Sequence, residues 1–113
     1  LVSQQYPEVA LRRLIDLYRD NPQNAGIAAQ VGITSAKVGQ YDEAMRYLGI
    51  AASIEPTKAE HIFNMAIATD RRGNKAEAVR LYEKALELDA VYGESRSVPR
   101  SVIYDRLSVL RRG

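Results

Sequence analysis

Gly39 and Gly73 stand one 34-residue step apart, and the step carries a set of other residues with it. Ala44 maps to Ala78, Leu48 to Tyr82, Ala51 to Ala85 and Ile54 to Leu88. Taken backwards, the same step carries Ala44 to Ala10, Leu48 to Leu14, Ala51 to Leu17 and Pro56 to Pro22. A fixed period of this length restricts the architecture severely. Each unit is a piece of supersecondary structure that cannot bury its own apolar face and has to stack on its neighbours.

Within a unit the pattern predicts two helices. Residues 25–38 form the first, Gly39-Gln40 the turn, and residues 41–54 the second. Asp42 and Glu43 fall in the first turn of that second helix, where the helix dipole favours carboxylates, and Pro56 lies just past its end. The next unit repeats the plan, with a helix from 58 or 59 to 72, a turn at Gly73-Asn74 and a helix over 75–88. Gly39 and Gly73 close helices where a left-handed backbone is expected. Gly32, Ala44, Ala51, Ala66, Ala78 and Ala85 are small because antiparallel helices approach closely there; Val31, Leu48, Met65 and Tyr82 supply the filling bulk.

This arrangement resembles the tetratricopeptide repeat family. Gly32, Gly39, Tyr41, Ala44, Leu48, Ala51 and Pro56 carry the likeness in residues 25–58, and Ala66, Gly73, Ala78, Tyr82, Ala85 and the run LELD at 86–89 carry it in residues 59–92. Residues 6–19 match the second helix of a preceding, partial unit. Two departures are plain. Ala28 and Ile62 replace the large aromatic expected early in the first helix, and Ala90 replaces a proline. The resemblance implies an all-α, tetratricopeptide-type helical-hairpin solenoid, one domain over residues 1–113, with residues 99–112 as a capping helix.

Both ends break the period. The partial unit lacks its leading helix, and Leu1 stands where an initiator Met would be, which suits a processed protein or a piece of a longer chain. Tyr6, Leu11 and Leu14 would then present a bare apolar edge. At the other end GESRSVP is a turn-rich connection, Pro99 suits a first helical turn, and residues 100–112 form the last helix. Val102, Ile103, Leu107 and Leu110 read as its apolar face. Self-association through Tyr6, Leu11, Leu14, Ile103, Leu107 and Leu110 is the second reading of these ends.

Net charge is only +2, yet residues 93–113 hold five arginines (Arg96, Arg100, Arg106, Arg111, Arg112) against Glu94 and Asp105. A solvated basic tail is the plain reading, with an acidic protein or phosphate contact as the next. Nucleic acid is not the expected partner, since no aromatics interleave with a broad positive stripe.

In the family the first helix of each unit lines a concave, peptide-binding surface. Carried over by resemblance, that surface receives Ala29, Ile33, Ala36 and Lys37 from one unit and Phe63, Asn64, Ile67, Asp70 and Arg71 from the next. Ala29 and Ile33 stand where relatives that grip a peptide carboxylate place lysine and asparagine, and Asn64 alone does not rebuild that clamp. The apolar centre instead suits a helix or nonpolar segment, with Phe63 as anchor. The competing reading buries Ile33, Phe63 and Ile67 in the core or under the chain's own tail.

Nothing suggests an enzyme. The chain has no cysteine and a single histidine, His61, so neither thiolate chemistry nor a metal cluster is expected. GITSAKVG follows no strand and lacks the spacing of a phosphate loop. No cofactor is expected, and no run is long enough to insert in a membrane. Cytoplasm and periplasm both remain compatible. The expected role is a protein-binding scaffold in assembly of a multiprotein complex; a self-assembling module is the alternative.

Overall fold

The computed structural model describes residues 6–93 and 98–112, which form six helices and, among the described residues, no strand. In chain order they are α1 (Pro7–Asp20), α2 (Ala25–Lys37), α3 (Tyr41–Ile54), α4 (Ala59–Arg72), α5 (Lys75–Tyr92) and α6 (Arg100–Arg112). They gather into two compact units, Leu1–Glu55 and Pro56–Gly113.

In the first unit α2 and α3 form a hairpin and α1 packs on α2. Pro7 opens α1, where its missing N–H costs nothing. Asn24 caps α2 by accepting the Ile27 N–H at 3.0 Å. Leu11, Val31 and Tyr47 form the core, with Leu14, Ile15, Tyr18, Val38 and Ile50 packed against it. Tyr18 and Tyr47 meet edge to face, ring centres 5.4 Å apart at 88°, a geometry the ring quadrupoles favour. Where α2 crosses α3, Ala44, Leu48 and Ala51 have no exposure, and Gly32 lies directly under Leu48.

The two period-marking glycines close their helices in the same way. At the end of α2 the Gly39 N–H donates to the Ala36 carbonyl (3.1 Å) and the Gln40 N–H to the Ser35 carbonyl (2.9 Å). At the end of α4 the Gly73 N–H donates to Asp70 (3.0 Å) and the Asn74 N–H to Thr69 (3.1 Å). Gly39 and Gly73 sit at φ +82° and +94°, inside the left-handed region. Asn74 then begins the next helix by accepting the Glu77 N–H at 3.4 Å.

In the second unit α4 and α6 each pack on α5, while their own backbones stay apart. Ala66, Ala78 and Ala85 have no exposure, and Thr69 Oγ1 donates to the Met65 carbonyl at 2.8 Å. Helix α5 runs four residues beyond the predicted 75–88. Ala90, standing where a proline would stop it, keeps its N–H, so the helix continues until Gly93. That extension brings Asp89 onto the buried side of α5 with 0% exposure.

Candidate docking surface

Of the sequence-predicted groove residues in the first unit, Ala29 is buried, Ile33 is half-buried and Lys37 is exposed. In the second unit Phe63, Asn64, Ile67 and Asp70 are half-buried and Arg71 is exposed. Phe63, Ile67 and Asp70 share a face of α4, being spaced four and three residues apart.

That face looks onto a cleft of about 360 Å³. Phe63 and Ile67 form one wall, Tyr82 of α5 the floor, and Val102, Asp105, Arg106 and Val109 of α6 the other wall. The Phe63 and Tyr82 rings lie 6.3 Å apart, tilted by 52°. Helix α6 stands beside Phe63 and Ile67 and lines the cleft with them.

Asp70 lies behind two of the cleft's lining residues, Tyr82 and Arg106, and bonds both. Arg106 grips it with a fork, Nε donating to Oδ2 at 2.6 Å and Nη2 to Oδ1 at 2.8 Å. The Tyr82 hydroxyl donates to the same Oδ2 at 2.8 Å. The Arg106 hydrogen bonds hold the Asp70 carboxyl below its usual range despite its burial, with Tyr82 and the charges of Arg106 and Arg71 helping. Burial, and then the carboxylate it faces, push the Tyr82 phenol well above its ordinary value. Asp70 in turn raises Arg106. At neutral pH the group is a charged fork with a neutral phenol donor.

The remaining tail arginines are also engaged. Arg100 Nε donates to Asp89 Oδ2 at 2.7 Å, Arg111 pairs with Glu83, and Arg112 Nη2 donates to Ser108 Oγ at 3.3 Å. Arg96 lies outside the described residues. The tail is basic in sequence because its counter-charges sit on α4 and α5, so a free basic patch is not what Arg100, Arg106 and Arg111 build.

Helix α6 corrects two further expectations. Ile103, Leu107 and Leu110 are buried within the chain, whereas Val102 is 55% exposed and lies on the adjacent cleft-facing stripe. One helical position is a turn of about 100°, enough to part Val102 from Ile103. Leu11 is likewise in the core of its own unit, and Leu14 is half-buried against it. The apolar side chains left exposed near the two ends are Tyr6 and Leu17, and Val91, Tyr92, Val102, Tyr104 and Val109. The sequence reading missed Tyr82, Val109, Glu83 and Asp89 as members of this region. The surplus of arginine over carboxylate after residue 93 was the available signal, since such a helix needs acids elsewhere.

Among the described residues no three His, Cys, Asp or Glu are grouped to hold an ion, and His61 is buried in α4. None of the described helices is long and apolar enough to cross a membrane.

No family model and no curated protein matches the sequence. Solved structures do. A point mutant of MamA matches with TM-score 0.72 at 28% identity, over 78% of this chain and 64% of that one. MamA AMB-1 matches with TM-score 0.73 at 28% identity, over 79% of this chain and 53% of that one. A further MamA crystal structure matches with TM-score 0.77 over 97% of this chain and 60% of that one, at 19% identity, where the likeness is one of fold alone. The chain therefore spans roughly half to two thirds of these three MamA chains. Its fold class is the all-α helical-repeat one they share, an architecture that typically serves protein–protein interaction.

Proposed function

We propose that this chain is a tetratricopeptide-type docking scaffold, a single domain whose α4 face receives the apolar side of a helix or nonpolar segment from another protein during assembly of a multiprotein complex. Residues 25–58 and 59–92 are its repeats, residues 6–19 the second helix of a partial repeat, and residues 99–112 its cap. The observation that carries the reading is the cleft beside Phe63 and Ile67. It is walled mostly by apolar side chains, open, and, at about 360 Å³, near the lower end of small-ligand sites (roughly 300–1,000 Å³). That size suits one or two large side chains from a partner. An aromatic wall with a charged pair beside it is the composition from which binding hot spots are made.

Site-specific photo-crosslinking tests this. A benzophenone amino acid at Phe63 or Ile67 is expected to capture a discrete partner protein that the same group at exposed Arg80 does not. Identical capture from all three positions, or none, would refute the assignment.

Self-assembly is the second reading, favoured by the exposed Tyr6 and Leu17 at one end and Val102, Tyr104 and Val109 at the other. Light scattering across a concentration series separates the two. A mass fixed near 12.6 kDa leaves the cleft for a foreign partner. Growth with concentration makes the end helices the interface.

A further inference from the structure

Helix α6 is attached by two kinds of contact whose chemistry is separable. Ile103, Leu107 and Leu110 recur at i, i+4 and i+7 and are buried, which makes an apolar seam. Around it Arg100, Arg106 and Arg111 reach Asp89, Asp70 and Glu83. The carboxylates matter most. The Asp89 side chain is 0% exposed and that of Asp70 10%, so a helix covering them is favoured when it brings a cation to each, as Arg100 and Arg106 do. At Asp70 the demand is narrower still, because a two-toothed grip on both oxygens suits a planar guanidinium and not an ammonium. The α6 backbone packs on α5 and stays clear of α4, which α6 reaches through the Arg106 side chain.

From these observations we infer that the α4/α5 face is an exchangeable docking site for an arginine-bearing amphipathic helix, with α6 as its resident occupant. The inference rests on the scaffold reading above and names the partner's chemistry. A competing helix carries apolar residues spaced like Ile103, Leu107 and Leu110 and arginines placed like Arg100 and Arg106. Such a helix lays its seam on α5 and its guanidinium on Asp70, as α6 does. The resident lowers the apparent affinity of any competitor by the fraction of time it is seated, so loosening α6 strengthens capture of the competitor.

The probe is a fluorescein-labelled peptide of residues 98–112, titrated by anisotropy against the full chain and against the full chain carrying Arg106→Gln. The variant keeps Asp70 and lacks only its resident guanidinium, so it is expected to bind the peptide at least tenfold more tightly than wild type. A peptide with Arg100→Gln and Arg106→Gln is expected to bind the variant at least tenfold more weakly than the native peptide. Equal affinity of the native peptide for both chains, no binding to either, or indifference to the peptide's arginines overturns the inference. So does a dimer of the variant that survives excess peptide, since a second copy would then own the site.

Should Arg106→Gln not fold, amide exchange on wild type decides. Exchange in α6 faster than in α4 and α5, and accelerated by salt, is expected; α6 exchanging in step with α5 at every salt concentration overturns the inference. The two readings fail separately. Crosslinks from Phe63 without peptide exchange leave the scaffold standing with α6 fixed in place. Peptide exchange without crosslinks removes the foreign partner and keeps the exchangeable helix.

Discussion

Gly32 and Gly49 allow one substitution to be made twice with opposite expected signs. A Cβ built on Gly32 would lie 2.6 Å from Leu48 Cγ, 3.0 Å from Leu48 Cδ2 and 3.1 Å from the Ala44 carbonyl oxygen. Carbon pairs rest at about 3.5–4.0 Å, so relief takes about 1 Å of movement by Leu48 or by the helices themselves. Leu48 has no exposure, so there is little free space for it to move into. Overpacking of this kind costs about 1–3 kcal/mol, and replacing a mid-helix glycine by alanine returns about 1 kcal/mol through propensity. Gly32→Ala is therefore expected to lose up to about 2 kcal/mol. At Gly49, inside α3, the added Cβ meets nothing within 4 Å, and Gly49→Ala is expected to gain about 0.5–1 kcal/mol. The difference between the variants, about 1–3 kcal/mol, isolates packing because the propensity gain cancels. Urea unfolding followed by far-UV circular dichroism reads both. Introducing Gly32→Ala into a Leu48→Ala background should erase most of its cost, as a double-mutant cycle would register. Equal stabilisation by both substitutions would refute the close α2–α3 approach.

Four further outcomes are expected. Asp70 has a lowered folded pKa, so its contribution is complete above the unfolded carboxylate value of about 3.9 and is lost as pH falls through the folded one. Asp70→Asn should flatten the acid limb of a stability–pH profile, and an unchanged limb would count against the fork. Tyr82 has a raised folded pKa, so the unfolded phenol ionises first and stability falls above about pH 10; Tyr82→Phe should remove that alkaline fall, measured by urea unfolding at stepped pH. Ser35 Oγ is buried and has no hydrogen-bond partner among the described residues, so Ser35→Ala should stabilise by about 1 kcal/mol, and a loss of similar size would point to a bond at that hydroxyl. A Cβ on Gly93 would overlap the Asp89 carboxylate, so Gly93→Ala should loosen the Asp89–Arg100 pair and speed amide exchange in α6 while α1 to α3 stay protected; unchanged exchange in α6 would show that the pair adjusts freely.

The sequence was informative where physics is local or repeats. Gly39 and Gly73 announced their left-handed closures because only a residue without a Cβ sits there cheaply. Ala44, Ala51, Ala78 and Ala85 were readable as helix contacts because small size at a fixed period has few other causes. Helix ends followed within a residue wherever a glycine or proline enforced them. The end of α5 was missed because the missing proline at Ala90 lets the helix run on. The candidate site was harder to read, for a different reason. Arg106 finds its acid 36 residues away and Arg111 finds Glu83 28 residues away, and no period links such partners. Val102 was assigned to the wrong side because four apolar residues within one short helix leave its rotation on α5 undetermined until packing fixes it.

The second unit hangs from one member. Because α4 and α6 both rest on α5 while their backbones stay apart, α5 is the main load path between the flanks, beside the Arg106–Asp70 fork that links them through side chains. Pulled by its carboxyl end, such an assembly yields from the outside inward: α6 unzips first and leaves the α4–α5 hairpin standing. Damage to the middle of α5 takes both neighbours at once. Truncation from the carboxyl end is therefore graded, and a break in α5 is not.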